Sequence, residues 1–97
     1  MIVSVAMNAR GVRSVDRSVC IMLDVLRASS TMLAMFQAGA RELRLAETPE
    51  AALAVAEGRR DAFWVCGERH GLKVEGFDYG NSPAEVAEAD LSAREVV

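Results

Sequence analysis

Histidine and cysteine, the side chains that most often bind zinc in proteins, are scarce in this chain of 97 residues. The single histidine is His70, and the two cysteines, Cys20 and Cys66, lie in separate apolar runs with no second cysteine nearby. This distribution favours two buried thiols in a reducing compartment over a disulfide or a zinc site.

Basic stripes and long apolar runs are also missing. The formal net charge is −3 and the isoelectric point about 5.1, and the lysines and arginines are scattered, which argues against a nucleic-acid partner. No apolar run approaches the roughly 20 residues that a membrane-spanning helix needs, and the N-terminus does not resemble a signal peptide. We therefore expect a cytoplasmic protein without a membrane partner.

Apolar residues are abundant, at 52% of the chain, and they fall into runs that alternate between strand and helix patterns. Strands are predicted over residues 1–7, 19–23, 40–46 and 62–66, and helices over 29–38, 49–58 and 83–89. This order predicts an α/β domain, layered as α/β/α around a mostly parallel sheet.

The most apolar of these runs, VCIML at 19–23, has the pattern of a strand that is buried on both faces. Helix starts are predicted at Thr48-Pro49 and Ser82-Pro83, where a capping side chain precedes a proline. A hydroxyl of the run at 29–31 is expected to cap the helix that follows 19–23.

The chain is long enough for one domain, which we assign to residues 1–97. Its last residues, AREVV, have the pattern of a further strand. We therefore expect the chain to be the N-terminal portion of a longer protein.

The segment DVLRASST at 24–31 joins a predicted strand to a predicted helix. Free N–H groups and the helix dipole make such a helix start favourable for phosphate, and the hydroxyls of Ser29, Ser30 and Thr31 are additional donors. Arg27 can hold a phosphate or sulfonate through two parallel hydrogen bonds, and Asp24 can bind Mg²⁺ or act on the substrate.

The segment GERHGLKVEGFDYGNSP at 67–83 is predicted to be a long loop that follows the strand 62–66. Long loops in small domains are uncommon unless they serve a function. Its candidate ligands for a hard cation are Glu68, Glu75 and Asp78, and its candidate contacts for a substrate anion are Arg69, Lys73, Asn81 and Ser82.

Both segments follow the carboxyl end of a predicted strand. Ligands of open α/β sheets bind at that edge, so we expect the segments 24–31 and 67–83 to lie together. Simpler explanations stay open at this point: the hydroxyls can do no more than cap a helix, Arg27 can pair with Asp24, and the loop can be an ordinary charged surface. We expect His70 to be a solvated bystander.

The quoted segments, together with GARELRLAETPEAALAVAE in the middle of the chain, resemble the 2-phosphosulfolactate phosphatase family from about Val19 to about Glu85. That family is expected to carry D-V-L-R-A-[ST]-[ST]-T and then G-E-R-x-G-x-K-x-x-G-F-D-x-G-N-S-P. Ser29 stands where threonine is more usual, and family members are much longer than this chain.

The resemblance implies Mg²⁺-dependent hydrolysis of 2-phospho-3-sulfolactate, a small phosphorylated and sulfonated organic acid, to sulfolactate and phosphate, a step of coenzyme M biosynthesis. It implies catalytic roles for Asp24, Arg27, Glu68 and Arg69, substrate contacts for Ser29, Ser30, Thr31, Lys73, Asn81 and Ser82, and Mg²⁺ ligands among Asp24, Glu68, Glu75 and Asp78. Attack by a bound water is the expected mechanism, and a covalent intermediate on Asp24 is the alternative.

Two other classes of function were weighed. A haloacid dehalogenase-type phosphatase requires an aspartate two residues after its nucleophile, and Leu26 stands there. A non-catalytic anion- or metabolite-binding module, or an inactive fragment that forms a homo-oligomer through an open sheet edge, fits the same motifs. Mg²⁺-dependent phosphate release would distinguish an enzyme from a binding module.

Overall fold

The computed structural model describes residues 1–97 and contains three α-helices and four short strands. A 3-10 turn at Ala9–Gly11 comes first. The elements that follow are α1 at Ala28–Gln37, α2 at Pro49–Ala56, β1 at Phe63–Trp64, β2 at Glu68–Arg69, β3 at Leu72–Lys73, α3 at Pro83–Ala87 and β4 at Glu95–Val96.

The main sheet is parallel. β1 pairs with β4, with Phe63 opposite Glu95 and Trp64 opposite Val96. Val96 is also bridged by Leu43 in parallel register, so β4 lies between Leu43 and β1. The predicted α/β class is confirmed, and the pair β2–β3, which is antiparallel, is the exception to the predicted strand direction.

Two helix starts form where the capping patterns predict them. Thr48 Oγ1 accepts a hydrogen bond from the Ala51 amide at 3.2 Å, and α2 begins at the next residue, Pro49. Ser82 Oγ accepts from the Glu85 amide at 3.4 Å, and α3 begins in the same way. A side-chain cap with proline at the first helical position therefore suffices to place both helices.

The core consists of two apolar clusters, and successive side chains of residues 63–66 contribute alternately to one and the other. The first, here called the α2 cluster, joins Ala52 and Ala56 of α2 to the fully buried Phe63 and Val65. Trp64 and Cys66 pack instead against the cluster that α1 and α3 form around Val96. Because alternate residues of a strand point to opposite faces, these two clusters bury both faces of β1.

The strands predicted at 1–7 and 19–23 are wrong. Both segments are irregular and make no ladder hydrogen bonds, and Val19 and Leu23 are 93% and 85% exposed. A strand that is buried on both faces needs a place inside a sheet. Here the position between Leu43 and β1 is taken by β4.

The predicted strand 40–46 is reduced to the bridge at Leu43, which is flanked by hydrogen bonds from the Arg44 amide to the Val96 carbonyl and from the Val96 amide to the Glu42 carbonyl. The prediction that AREVV forms a strand is confirmed by β4. None of the helices is long and apolar enough to cross a membrane.

Candidate functional site

Asp24 caps the start of α1. Its Oδ2 accepts a hydrogen bond from the Ala28 amide at 3.2 Å, and Arg27, at the N-cap position, makes no capping bond with its side chain. A carboxylate here is favourable because the first turn of a helix has free N–H groups and a positive dipole end. The sequence predicts a bound phosphate at this helix start, and in the structure the Asp24 carboxylate already supplies a negative charge there.

The hydroxyls of the first turn do not cap α1, so the predicted role of Ser29, Ser30 or Thr31 as the cap is wrong. Each hydroxyl donates back to a carbonyl that precedes it: Ser29 to Asp24, Ser30 to Val25 at 2.6 Å, and Thr31 to Arg27 at 2.9 Å. The backbone N–H groups of Ser29 and Ser30 make no hydrogen bond and remain available at the helix start.

Residues 67–83 are not one continuous loop. The strands β2 and β3 form a small hairpin in which Glu68 pairs with Lys73 and Arg69 with Leu72. The turn residues His70 and Gly71 both have positive φ, +55° and +82°, the pattern of a two-residue type I′ turn. The Gly71 amide also donates to the Glu68 carboxylate, which closes the hairpin.

Four of the predicted site residues line a single cleft: Asp24 and Arg27 before α1, Glu68 at the start of β2, and Asn81 before α3. The Arg27 Nη2 donates to the Gly71 carbonyl at 3.2 Å and so joins the first segment to the turn of the hairpin. The structure therefore brings the two predicted segments together, although residues 19–23, which lead into the first of them, form no strand.

Arg69 lies outside this cleft. Its Nη2 is 2.8 Å from Glu50 Oε1 at the start of α2, in an ion pair that is largely exposed. The pKa of Glu50 is lowered, first by a hydrogen bond from its own backbone and then by Arg69. Sequence reasoning had no signal for Glu50, because its contact with the hairpin depends on how α2 packs.

Lys73 and Ser82 also take other contacts. The Lys73 Nζ donates to the Asp78 carbonyl at 3.4 Å, and Ser82 caps α3. Neither of them lines the cleft in this structure.

The four carboxylates predicted to bind Mg²⁺ are separated. Asp78 Oδ1 is 3.1 Å from Arg60 Nη2, its Oδ2 accepts from the Val65 amide at 2.8 Å, and Glu75 is exposed and apart from the cleft. No group of three or more His, Cys, Asp and Glu side chains is placed to hold a metal ion. Only Asp24 and Glu68 share the cleft.

Those two carboxylates have the donor chemistry of ligands for a hard cation such as Mg²⁺. Each uses one oxygen in a hydrogen bond to the backbone and keeps the other without a hydrogen-bond partner. Mg²⁺ is commonly bound by one or two carboxylates together with substrate phosphate, so a full cage of protein ligands is not required.

The model for the 2-phosphosulpholactate phosphatase family matches residues 7–97, which include both segments of the cleft. The chain belongs to this family. Members that it resembles are described as probable 2-phosphosulfolactate phosphatases. One from Deinococcus radiodurans is 48% identical over 79 residues, which cover 81% of this chain and 32% of the relative. One from Pseudothermotoga lettingae is 44% identical over 71 residues, which cover 72% and 30%.

A third relative, from Thermotoga petrophila, is 36% identical over 83 residues, which cover 86% of this chain and 35% of the relative. The chain thus spans about a third of the length of these family members. The cleft described here is built wholly within that third.

The cleft of this phosphatase-family chain carries mixed charge. Asp24 and Glu68 are acidic, Arg27 is the one basic side chain, and Asn81 is neutral. Two carboxylates beside one guanidinium repel a phosphate dianion at close range. A divalent cation held by the carboxylates would reverse that sign.

Proposed function

We propose that this chain supplies the Mg²⁺- and phosphate-binding cleft of an enzyme that hydrolyses 2-phospho-3-sulfolactate to sulfolactate and phosphate. The observation that carries the proposal is the meeting of Asp24, Arg27, Glu68 and Asn81 in one cleft, from parts of the chain that are far apart in sequence. The family membership, and the description of the relatives as probable 2-phosphosulfolactate phosphatases, support the reaction class.

Each side chain has a task that its position allows. Arg27 would bind the phosphate through its guanidinium, and the N–H groups of Ser29 and Ser30, which make no hydrogen bond at the start of α1, are further candidate donors. The oxygens of Asp24 and Glu68 that have no partner hold the ion, and Asn81 orients the substrate by hydrogen bonding. Mg²⁺, when bound, neutralises phosphate charge and polarises the phosphorus–oxygen bonds.

Fewer carboxylates are proposed as Mg²⁺ ligands than the sequence suggested. Asp24 and Glu68 are retained for Mg²⁺, while Asp78 and Glu75 are left out because neither lines the cleft. Arg69 and Lys73 are assigned to the sulfonate end of the substrate. That role requires the exposed Arg69–Glu50 pair to open, which costs little since such pairs contribute about 0–1 kcal/mol.

An α/β/α layering and a cellular setting are also proposed for this chain. The two apolar clusters on opposite faces of β1 support an α/β/α layering, with α2 on one face and α1 and α3 on the other. We propose the cytoplasm as its setting because the pattern of its two cysteines favours a reducing compartment, and coenzyme M biosynthesis because of the resemblance of its motifs.

The test is phosphate release from 2-phospho-3-sulfolactate with and without Mg²⁺. The assay compares this chain, the longer relative from Deinococcus radiodurans, and the matched variants Asp24→Asn and Asp61→Asn of this chain. Asp61 is exposed and its side chain makes no hydrogen bond or salt bridge, so its variant controls for the loss of one charge. We expect Mg²⁺-dependent release that Asp24→Asn abolishes and Asp61→Asn leaves intact.

Titration calorimetry with Mg²⁺ and sulfolactate separates the alternatives. Suppose that this chain binds both ligands but releases no phosphate, while the longer relative does release it. The cleft would then lie in this chain and the remaining catalytic groups elsewhere in the enzyme. Sulfolactate binding with no release by either protein would favour the binding module. An Mg²⁺ titration unchanged by Asp24→Asn would remove Asp24 from the metal site.

A further inference from the structure

Asn81 lines the cleft from the segment just before α3, and its side chain makes no hydrogen bond within the protein. It is half-buried and directly precedes Ser82, the N-cap of α3. Because no side-chain bond holds it, its place in the cleft depends on how the backbone is held on either side.

The backbone after Asn81 is fixed by the start of α3. Ser82 Oγ accepts a hydrogen bond from the Glu85 amide at 3.4 Å, and Pro83 takes the first helical position, where its ring fixes φ. A proline also restricts the residue before it to extended conformations, and Ser82 has φ −119° and ψ 116°. These constraints are local to the start of the helix.

The backbone before Asn81 is held by the Glu85 carboxylate. Its Oε2 accepts a hydrogen bond from the Gly80 amide at 3.2 Å. The carbonyl of the same peptide group, that of Tyr79, accepts from the Gly67 amide at 3.1 Å. The peptide group between Tyr79 and Gly80 is therefore held by α3 on one side and by the segment that follows β1 on the other.

The choice of Gly80 as donor departs from the usual capping box. A glutamate three residues after a serine cap normally accepts from the amide of the cap itself, which here is Ser82. The Ser82 amide makes no hydrogen bond in this structure. Glu85 reaches past Asn81 to Gly80 instead. A carboxylate that served only to start α3 would bond the nearer Ser82 amide, so this longer reach stabilises the backbone around Asn81.

Gly80 leaves the space that this carboxylate needs. It is buried, and it does not have a positive φ. A Cβ added there would lie 2.9 Å from Glu85 Oε2 and 3.6 Å from Lys73 Cβ. The first distance is too short for a non-bonded contact, whereas the second is ordinary. Glycine is therefore required at this position for the close approach of Glu85 and not for its backbone conformation.

We propose that Glu85 is a positioning residue of the cleft: by holding the Gly80 amide, its carboxylate fixes the backbone from which Asn81 contacts the substrate. Glu85 does not line the cleft itself, so it acts through Asn81. The contact of Asn81 with substrate rests on the phosphatase proposal, whereas the hold of Glu85 on the backbone does not.

The test measures the binding of sulfolactate in the presence of Mg²⁺ by titration calorimetry. We expect Glu85→Ala to weaken binding about threefold to tenfold, the range for the loss of one hydrogen bond. Glu85→Gln keeps an oxygen that can accept from the Gly80 amide, so it should recover most of the affinity. Glu88→Ala is the matched control, since Glu88 is exposed at the end of α3 and its side chain makes no hydrogen bond or salt bridge.

Two double variants test whether Glu85 acts through its neighbours. Asn81→Ala combined with Glu85→Ala should bind no more weakly than Asn81→Ala alone, because a side chain that is absent cannot be positioned. Gly80→Ala should weaken binding in the wild-type background, where its Cβ displaces the carboxylate, and should have no effect in Glu85→Ala. Circular dichroism confirms that each variant folds.

Nuclear magnetic resonance of the ligand-free chain supplies a readout that does not depend on the substrate. In Glu85→Ala, the Gly80 amide should exchange faster and the order parameter at Asn81 should fall, while Glu85→Gln should stay near wild type. Unchanged exchange and order in Glu85→Ala would overturn the proposal. Losses that add fully in the double variant with Asn81→Ala, or wild-type binding by Asn81→Ala alone, would overturn it as well.

Failure of the phosphatase proposal has a different signature. In that case the wild-type chain binds no sulfolactate with Mg²⁺, and every variant is equally silent in the calorimeter. The exchange at Gly80 and the order at Asn81 then decide by themselves whether Glu85 holds this backbone.

Discussion

Arg27 contacts the rest of the chain with its side chain through one hydrogen bond, from Nη2 to the Gly71 carbonyl. Its other guanidinium donors make no hydrogen bond within the protein, and Arg27 lines a cleft that also contains two carboxylates. At the residue scale, this is the side chain whose removal should affect binding most and folding least.

We expect Arg27→Ala to weaken the binding of inorganic phosphate in the presence of Mg²⁺ by about tenfold to a hundredfold, the range for losing a charged hydrogen bond. The melting temperature should stay within a few degrees. Calorimetry and thermal unfolding check the two outcomes. Arg41→Ala is the matched control, since Arg41 is exposed and its side chain makes no hydrogen bond or salt bridge. Equal loss in both variants would mean that net charge, not the cleft, attracts phosphate.

Asp78, in contrast to Arg27, is a side chain that stabilises the fold. It accepts from the Val65 amide and pairs with Arg60, so it connects the segment after the hairpin to the strand of β1. Val65, whose amide is the donor, is a fully buried member of the α2 cluster.

We expect Asp78→Ala to lower the free energy of unfolding by about 1–3 kcal/mol, because the Val65 amide loses its acceptor. Urea denaturation without metal measures this loss, and Asp61→Ala is the control at an exposed aspartate. If Asp78 were a metal ligand instead, its variant would show unchanged stability without metal and a weaker affinity for Mg²⁺.

At the scale of elements, the hairpin β2–β3 positions the carbonyl that holds Arg27. Its turn depends on Gly71, whose φ of +82° is rarely adopted by residues that carry a side chain. A Cβ there would meet no atom within 4 Å, so the cost of replacing this glycine comes from the backbone alone.

We expect Gly71→Val to cost about 1–3 kcal/mol in local strain, to accelerate amide exchange across residues 68–73 and to weaken phosphate binding. Gly58→Val is a close match, because Gly58 has a φ of +68° and an equally open surrounding at the end of α2. Its strain should lower stability while phosphate binding stays unchanged. Faster exchange at 68–73 in both variants would mean that the hairpin has no stability of its own.

Local signals predicted α2 and α3 well, since Thr48-Pro49 and Ser82-Pro83 combine a cap with a fixed φ. The hairpin was missed because each strand has two residues, too few to show alternation, and its turn lacks the Asn-Gly or Asp-Gly signal. The cap of α1 was misassigned because Asp24 reaches Ala28 from outside the usual cap position.

The sequence does not show which distant segments pair with each other in the sheet. The pattern of 19–23 shows that the run is apolar, but its place in a sheet depends on which other segment occupies that place. For the site, the segments 24–31 and 67–83 meet as predicted, although the strand over 19–23 from which that prediction followed does not form. The separation of Asp78 and Glu75 from Asp24 depends on packing that no motif records.

At the scale of the whole molecule, the chain is less compact than its length allows. Its radius of gyration is 15.2 Å, whereas a compact domain of this length would have about 13 Å. The excess reflects the first 27 residues, whose apolar side chains are mostly exposed. The folded part is held by two small clusters that share the strand of β1.

This shared strand makes global stability sensitive to alkaline pH. Burial raises the pKa of the Cys66 thiol from 9.0 to about 12, with further contributions from Asp78 and Glu85. Above pH 9 the unfolded chain loses this proton while the folded chain keeps it. The stabilisation is therefore complete below pH 9 and is lost as the pH rises towards 12.

We expect the melting temperature of the wild-type chain to fall more steeply between pH 9 and pH 11 than that of Cys66→Ala. Cys20→Ala should follow the wild-type curve if Cys20 is exposed in both states. Differential scanning calorimetry at several pH values checks the slopes. Parallel curves for wild type and Cys66→Ala would show that other groups dominate the alkaline loss.

The single tryptophan gives the molecule an optical reporter of its own. Trp64 packs edge-to-face on Tyr79 with ring centroids 5.7 Å apart, and the Arg94 guanidinium carbon lies 4.0 Å from the centroid of its ring. Tyr79 is two residues from Asn81 in the cleft. Indole emission is sensitive to nearby charge, so its wavelength and intensity should follow events at the cleft and at β4 without any added label.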